Sequence, residues 1–302
     1  MKNPLVSVFM VTYNHELYVA QAIEGVLAQK CNFDYELVIG EDCSTDNTSE
    51  IIKSYENDHR KIIKARYNTK NLGMLENGIK TLKECTSKYI AFCEGDDYWI
   101  DPHKLQKQVD WLQQNENYSA CVHLAKTVYE YEPNSGEQGF IFNPKSDTLL
   151  HNDFLRPFRL ATCSLMYRRI LIDITELTKY SNLVRDRPFM IILSTFGPFK
   201  VLPDVMAVYR RNKGGVSENI SLGNMYKAEI DTANELKMFL PNFNFKALYL
   251  KSHWHRYYLS NSDTLSFVER LLLFLKFLIP SFYGFPRNLR NIASAFYHVF
   301  VH

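Results

Sequence analysis

Three short segments hold the residue types best suited to chemistry: Thr12-Tyr13-Asn14-His15, Glu41-Asp42-Cys43-Ser44-Thr45-Asp46 and Glu94-Gly95-Asp96-Asp97. Each follows an apolar run. Two of the three are acidic clusters, and carboxylates brought together repel one another unless something compensates them. A divalent cation is the simplest compensation. Mg²⁺ or Mn²⁺ prefers a few carboxylate oxygens completed by substrate phosphates to a cage built wholly from protein. The twelve glycines form neither GxGxxG nor GxxxxGKS/T, which disfavours a dinucleotide dehydrogenase and a P-loop NTPase. The expectation is a fold that binds a nucleotide through acids and a metal, without a glycine loop.

The surrounding sequence predicts how these segments are positioned. Residues 6–13, 36–40, 61–66 and 89–93 are short apolar or β-branched runs that read as buried strands. Between them, residues 17–28, 48–56 and 74–85 carry helical patterns. Asn47 with Glu50 three residues later suggests a capping box, and Pro102 suits the first position of a further helix. Such alternation predicts a mostly parallel, Rossmann-like sheet with helices on both faces. Ligands then bind beyond the carboxyl ends of the strands, where the three segments lie. Further on, residues 119–131, 163–167 and 199–209 read as strands, the last broken at Pro203. Residues 188–196 and those from 224 onward read as helical.

Composition sets outer bounds. The chain has 302 residues, 46% hydrophobic and 23% charged, which fits one α/β domain with an appendage. A net charge of +2 gives no argument for nucleic acid. Residues 246–302 are locally basic. Within them, 265–279 are strongly apolar, with Ser266, Glu269, Arg270 and Lys276 on one narrow face, and Pro280 ends the pattern. A second helix, 287–301, begins with Arg287 and Arg290. This pair predicts association with a membrane surface; packing on the catalytic domain or in a dimer is the alternative. The six cysteines, at 31, 43, 85, 93, 121 and 163, form no CxxC pair. That disfavours a zinc cage and suggests a reducing, cytoplasmic setting. No stretch has the apolar length of a membrane span or of a signal sequence.

Taken together, residues 6–14, the acidic run 41–46 and Glu94-Gly95-Asp96-Asp97-Tyr98-Trp99 resemble the family 2 glycosyltransferases of the GT-A fold. The resemblance covers about residues 5–115 closely and reaches more weakly to 217. It implies a GT-A domain over 1–217 and a helical extension over 218–302. It also implies inverting transfer of a sugar from a nucleotide diphosphate, most commonly UDP, to an acceptor hydroxyl. Bacterial surface polysaccharide or lipopolysaccharide synthesis, with a saccharide or lipid-linked saccharide acceptor, is the setting it suggests. Thr12, Tyr13, Asn14, Asp42 and Ser44 are then expected at the nucleotide. Asp96 and Glu94 match the DxD acids that hold Mg²⁺ or Mn²⁺, and Asp97 is expected to face the sugar or orient the site. Asp186 matches the general base, held ionised by the helix dipole, Arg185 and Arg187, and Arg210 is expected at a phosphate.

The sequence departs from the family pattern at Cys43 (usually Gly), Glu94 (usually Asp) and Arg187 (frequently Trp). Asp46 and Asp186 also read as helix caps. A non-catalytic nucleotide-sugar-binding scaffold at the membrane face is the alternative function. A sugar-phosphate nucleotidyltransferase is disfavoured, because its Gly-rich first loop is absent.

Overall fold

The computed structural model describes residues 3–130, 146–155, 160–212 and 222–242, with 266, 268 and 271 singly. The chain divides into two compact units, Met1–Lys213 and Gly214–His302.

The first unit opens with β1 (Val6–Thr12), α1 (Val19–Leu27), β2 (Tyr35–Glu41), α2 (Thr48–Asp58), β3 (Ile63–Tyr67), α3 (Met74–Glu84) and β4 (Tyr89–Phe92). β1, β2 and β4 are buried nearly end to end, as strands covered on both faces must be, whereas the edge strand β3 buries only Ile63. In α1, Val19, Ala22, Ile23 and Val26 form the buried stripe. They pack against Val8, Met10, Leu37, Ile39 and Ala91 in one core.

Next come β5 (Tyr98–Trp99), α4 (Lys104–Gln114), β6 (Ala120–Tyr129), β7 (Thr148–Leu149), α5 (His151–Phe154), β8 (Met166–Arg168), α6 (Ile174–Leu177), α7 (Asp186–Ser194) and β9 (Phe199–Arg211). Among the described residues the sheet order is β3-β2-β1-β4-β8-β6-β9-β5, with β7 on β9. The β3-β2-β1-β4 half is parallel. β8 runs antiparallel between β4 and β6, and β9 pairs parallel with β6. The sheet is thus mixed and mostly parallel where the acidic segments lie.

Register places the site. Thr12 lies opposite Glu41, and Glu41 opposite Tyr67, so three strands end at one edge. β5 pairs antiparallel with β9, Tyr98 opposite Val208, which brings the end of β9 to the Glu94–Asp97 loop. Helix α7 is held by aromatics. The Phe189 ring lies 6.0 Å from that of Phe92 and 5.2 Å from that of Tyr167. This packing fixes the start of α7 near the end of β4.

Three local expectations are corrected. Asn47 is the N-cap of α2 but its side chain makes no capping bond, and Asp46 bonds to the first turn instead. Asp46 Oδ1 accepts from Thr48 N at 3.0 Å and from Thr48 Oγ1 at 2.6 Å, while the Asn47 amide is drawn to Glu16 Oε2 at 2.8 Å. Pro102 does not open α4, which starts at Lys104. Pro102 sits in a turn in which Asp101 Oδ1 accepts from His103 N at 2.8 Å. β9 is not broken at Pro203. His123 pairs with Leu202 and Leu124 with Val205, so Pro203 and Asp204 bulge out of the ladder, and a proline without an N–H is tolerated at a bulge. The short elements β5, β7, α5 and α6 carry no readable periodicity.

In the second unit, α8 (Leu222–Phe239) buries Ala233 and Leu236. Among the described residues no helix is long and apolar enough to cross a membrane. The predicted helix pair at 265–301 lies outside the described residues, save 266, 268 and 271.

Candidate active site

Two loops beyond β1 and β2 are tied together by reciprocal hydrogen bonds. Asn14 N donates to Ser44 Oγ at 3.0 Å, and Thr45 N returns a bond to Asn14 Oδ1 at 2.8 Å. Glu16 N donates to Asp46 Oδ2 at 3.1 Å, and Asn47 N donates to Glu16 Oε2 at 3.0 Å. Asn14 and Cys43 adopt left-handed backbone, with φ of 54° and 59°. Asparagine tolerates this region, whereas a thiol-bearing side chain pays about 1 kcal/mol for it. This is the physical meaning of a glycine at position 43 in the family pattern. Cys43→Gly is expected to leave stability unchanged or raise it by up to ~1 kcal/mol, glycine's greater freedom in the unfolded chain offsetting part of the gain. A thermal melt checks this, and a clear drop in melting temperature contradicts it.

Asp42 is almost wholly buried and already hydrogen-bonded. Its carboxylate accepts from Asn68 Nδ2 at 2.7 Å, Leu72 N at 2.9 Å and Gly73 N at 2.8 Å. Tyr13 is 40% exposed at the same edge. Thr12 Oγ1 lies 3.1 Å from His15 Nδ1.

The third segment lies close against the first. Gly95 N donates to Val11 O at 3.0 Å. A Cβ on Gly95 would stand 2.7 Å from Thr12 Oγ1 and 3.0 Å from His15 Nδ1, so only glycine lets the acidic loop reach this position. Asp96 Oδ2 accepts from Asn212 Nδ2 at 3.0 Å and lies 4.0 Å from His15 Nε2. Burial lowers the pKa of His15 despite the neighbouring Asp96 and Asp46 carboxylates, and Arg210 acts in the same direction. The ring is therefore neutral at physiological pH, and this contact is not an ion pair.

Asp97, expected to face the sugar or to orient the site, is turned away from the open side. It is 1% exposed, and its Oδ1 accepts from Arg210 N at 2.8 Å. Burial and the charges of Asp96 and Glu94 push its carboxyl well above the usual range. The bond from Arg210 N ties the loop to the end of β9.

Arg210, expected at a phosphate, has its guanidinium engaged by the protein itself. This residue is buried, with its guanidinium 4.7 Å from the Tyr18 ring and 4.8 Å from the Tyr98 ring. Nε donates to Glu130 Oε1 at 2.8 Å, Nη1 to the Asp96 carbonyl at 2.7 Å, and Nη2 to Gln21 Oε1. A guanidinium so engaged is a brace for the acidic loop.

Behind the loop lies a second buried cation. Lys104 has no exposed surface. Its Nζ stands 3.9 Å from the Trp99 ring and 2.8 Å from Gln108 Oε1. Burial lowers its pKa to about 8. Trp99 Nε1 donates to Cys163 O at 2.9 Å, so this aromatic belongs to the core. All six cysteines are free thiols.

Glu94 and Asp186 complete the acidic group. Glu94 Oε2 is buried without a hydrogen-bond partner. Burial first, then the charge of Asp186, pushes the Glu94 carboxyl up to about 8, against the Thr162 hydroxyl, which acts the other way. Asp186 is the first residue of α7. Its outer surface is open to solvent, yet the surrounding protein displaces enough water to raise its pKa, against its own backbone N–H and Arg185. The expected lowering by the helix end and its arginines is thus reversed by desolvation.

A buried, unpartnered carboxylate oxygen beside further carboxylates suits a divalent cation. Among the described residues no three His, Cys, Asp or Glu side chains gather into a protein cage. Glu94 and Asp96 would supply two carboxylates, and substrate phosphates the rest, as Mg²⁺ and Mn²⁺ accept.

The raised acids predict a pH dependence. Without metal, folded Glu94 holds its proton from its ordinary value of 4.5 up to about 8, whereas the unfolded chain has lost it. Stability of the metal-free protein therefore falls as pH rises through that window. Asp97 and Asp186, also raised, act in the same direction. Lys104 acts oppositely above pH 8, and His15, His123 and His151, whose pKa values burial lowers, act oppositely up to about their ordinary value of 6.5. The metal-free melting temperature is expected to be lower at pH 8 than at pH 6, with the difference smaller in Glu94→Gln. An undiminished difference in that variant contradicts the assignment.

The structure thus brings Thr12, Asn14, Ser44, Asp42, Glu94, Asp96 and Asp186 to one end of the sheet. Sequence reasoning gave no role to Asn212, Asn68 or Glu130. They are polar residues without a motif, and their bonds to Asp42, Arg210 and Asp96 span 26 to 116 positions.

Comparison with known proteins decides the family: the glycosyl transferase family 2 model matches residues 7–175, more than half the chain. The chain belongs to glycosyl transferase family 2. An uncharacterized protein of Mycobacterium tuberculosis is 32% identical over 223 residues, covering 70% of this chain and 60% of its own length. The chain therefore spans less than two thirds of that mycobacterial relative. TuaG of Bacillus subtilis, provisionally named a teichuronic acid biosynthesis glycosyltransferase, is 34% identical over 55% of this chain and 63% of its own. Among solved structures, Staphylococcus aureus TarS 1-349 in complex with UDP-GlcNAc matches with a TM-score of 0.64 at 18% identity, over 97% of this chain and 81% of its own. The Pyrobaculum calidifontis mannosyltransferase PcManGT, in complex with GDP-Man and Mn²⁺, matches with a TM-score of 0.55 at 14% identity, over 100% of this chain and 87% of its own. At these identities the likeness shows the fold, and the fold of this family 2 member is GT-A.

Proposed function

We propose that this chain transfers a sugar, with inversion, from a nucleoside diphosphate donor to an acceptor hydroxyl in the synthesis of a cell-surface polysaccharide. The observation that carries the reading is the convergence of Glu94, Asp96 and Asp186 at the strand ends of a family 2 chain. The acceptor oxygen attacks C1 of the sugar as its proton passes to Asp186. The bond from C1 to the diphosphate oxygen breaks, and the electron pair leaves with the nucleoside diphosphate. A carboxylate with a raised pKa is the stronger base for this step. Asp96 and Glu94 would hold Mg²⁺ or Mn²⁺, which supplies a Lewis acid to the departing diphosphate. Thr12, Tyr13, Asn14, Asp42 and Ser44 form the nucleoside seat. Asp97 and Arg210 hold the acidic loop in place.

UDP is the preferred donor nucleotide in this reading, supported by the UDP-GlcNAc bound in TarS. The polysaccharide setting is supported by the name of TuaG. The basic, apolar segment 265–301 would bring the chain to the cytoplasmic face of a membrane, where a lipid-linked acceptor lies.

The test is release of nucleoside diphosphate from a panel of UDP-, GDP- and dTDP-sugars offered with lipid-linked and free saccharide acceptors. The anomeric configuration of the product is then read by NMR. Transfer with inverted configuration is expected. Retained configuration contradicts the role of Asp186, and donor binding without turnover favours the scaffold reading.

A further inference from the structure

A polar network beneath the end of β2 is not used by the chemistry above. It joins Gly40, Arg66, Asn68, Asn77 and Thr81 to Asp42. Arg66 Nη1 donates to Asn68 Oδ1, and Nη2 donates to Asn77 Oδ1 at 3.0 Å and to Thr81 Oγ1 at 2.8 Å. A guanidinium has donors only. Asn68 must therefore turn its carbonyl oxygen toward Arg66, which leaves its amide nitrogen facing Asp42. The orientation of this amide follows from the network itself. Asn77 Nδ2 in turn donates to Gly40 O at 2.8 Å. A Cβ on Gly40 would lie 2.0 Å from Thr81 Oγ1 and 2.7 Å from Asn77 Oδ1, so glycine at this place lets α3 approach β2 closely enough to build the network.

The count of bonds at Asp42 gives the network a purpose. A carboxylate offers about four acceptor positions. Asn68 and Leu72 N fill two on Oδ1, and Gly73 N fills one on Oδ2. One position on Oδ2 remains. A carboxylate held by three donors is fixed in direction, and it can accept one further N–H or O–H. The cost of orienting it is met before any ligand arrives, which is how preorganisation raises affinity.

We propose that Asn68, turned by Arg66, is a positioning residue for the donor nucleoside: it holds the Asp42 carboxyl group in one direction with one acceptor position free for a single donor group of the base or ribose. This inference rests on the donor-binding reading above. Asn68→Asp keeps the shape but sets an acceptor against Asp42. Asn68→Ala only removes the donor. If Asn68 acts by orienting Asp42, the isosteric Asp variant weakens nucleotide binding more than Ala does. If Asn68 merely fills space, the order is reversed.

The experiment is calorimetric titration of UDP and GDP, each with Mn²⁺, into the full chain and its variants. The nucleotide that wild type binds is expected to bind about tenfold more weakly to Asn68→Ala and more weakly still to Asn68→Asp, since a lost bond to a charged acceptor is worth at least that much. In turnover the loss is expected in KM for the donor, with kcat at saturating donor within about threefold. Should Asn68→Asp fail to fold, Asn68→Ala and Arg66→Lys carry the test, both expected to raise Kd with melting temperatures near wild type. Unchanged Kd in a folded Asn68 variant, or the reversed order, overturns the inference and leaves the donor reading standing. If wild type binds neither nucleotide, the donor reading falls and the inference with it.

Discussion

Asp186→Asn is expected to lower kcat by about 10³-fold while donor affinity stays within about twofold. General-base catalysis of this kind is worth 10²–10⁴ in rate. The side chain opens α7, whose position is set by the Phe189 contacts with Phe92 and Tyr167. The amide isostere leaves that packing intact. What it removes is the group that takes the acceptor proton, together with a negative charge beside Glu94. A second readout follows from that charge. With Asp186 neutral, Glu94 loses one of the two causes that raise its pKa most, and the metal-free melting temperature should vary less between pH 6 and pH 8. Full activity in Asp186→Asn would remove the residue from the mechanism, and the acceptor-side base would have to be sought elsewhere.

Asp96→Asn is expected to cost about 10³-fold in kcat/KM, ~4 kcal/mol of transition-state stabilisation. The loss should appear largely as failed donor binding in the presence of Mn²⁺ or Mg²⁺. Asp96 is presented by a loop that only Gly95 lets approach Thr12 and His15, and its own carbonyl and carboxylate are gripped by Arg210 and Asn212. The substitution keeps the side chain's size and one acceptor oxygen, so the fold should persist, and melting without ligand should be close to wild type. If Asp96→Asn still bound donor with metal at wild-type affinity, Asp96 would not be the metal's ligand. Glu94, with its buried unpartnered oxygen, would then be the better candidate.

Much of the half-sheet that carries the site could be read from the chain. Residues 6–12, 36–40 and 89–93 are apolar runs buried on both faces, a pattern that sequence displays directly, and the placing of the polar segments at their ends followed from it. What could not be read depends on distant partners. Arg210 reads as a phosphate ligand because nothing nearby in sequence reveals Tyr18, Tyr98, Gln21 and Glu130 around it. Asp97 looked like a site-facing acid because its burial comes from β9, more than a hundred residues later. The pKa of Asp186 was expected to fall because Arg185, Arg187 and a helix start are visible locally, whereas displacement of water is a property of the packed fold. Pro203 looked like a strand break because a bulge opposite His123 and Leu124 cannot be inferred from one strand alone.

The central claim is that the acidic edge of this sheet is the seat of a nucleotide-sugar donor. Its most direct test is the melting temperature of wild type and Asp96→Asn with UDP, GDP and dTDP, each with Mn²⁺, Mg²⁺ or EDTA. A ligand that binds only the folded state raises the melting temperature according to its affinity. The predicted result is a shift in wild type with one nucleotide, dependent on metal and absent in Asp96→Asn. No shift in wild type with any nucleotide and metal, or an equal shift in both proteins, would contradict it.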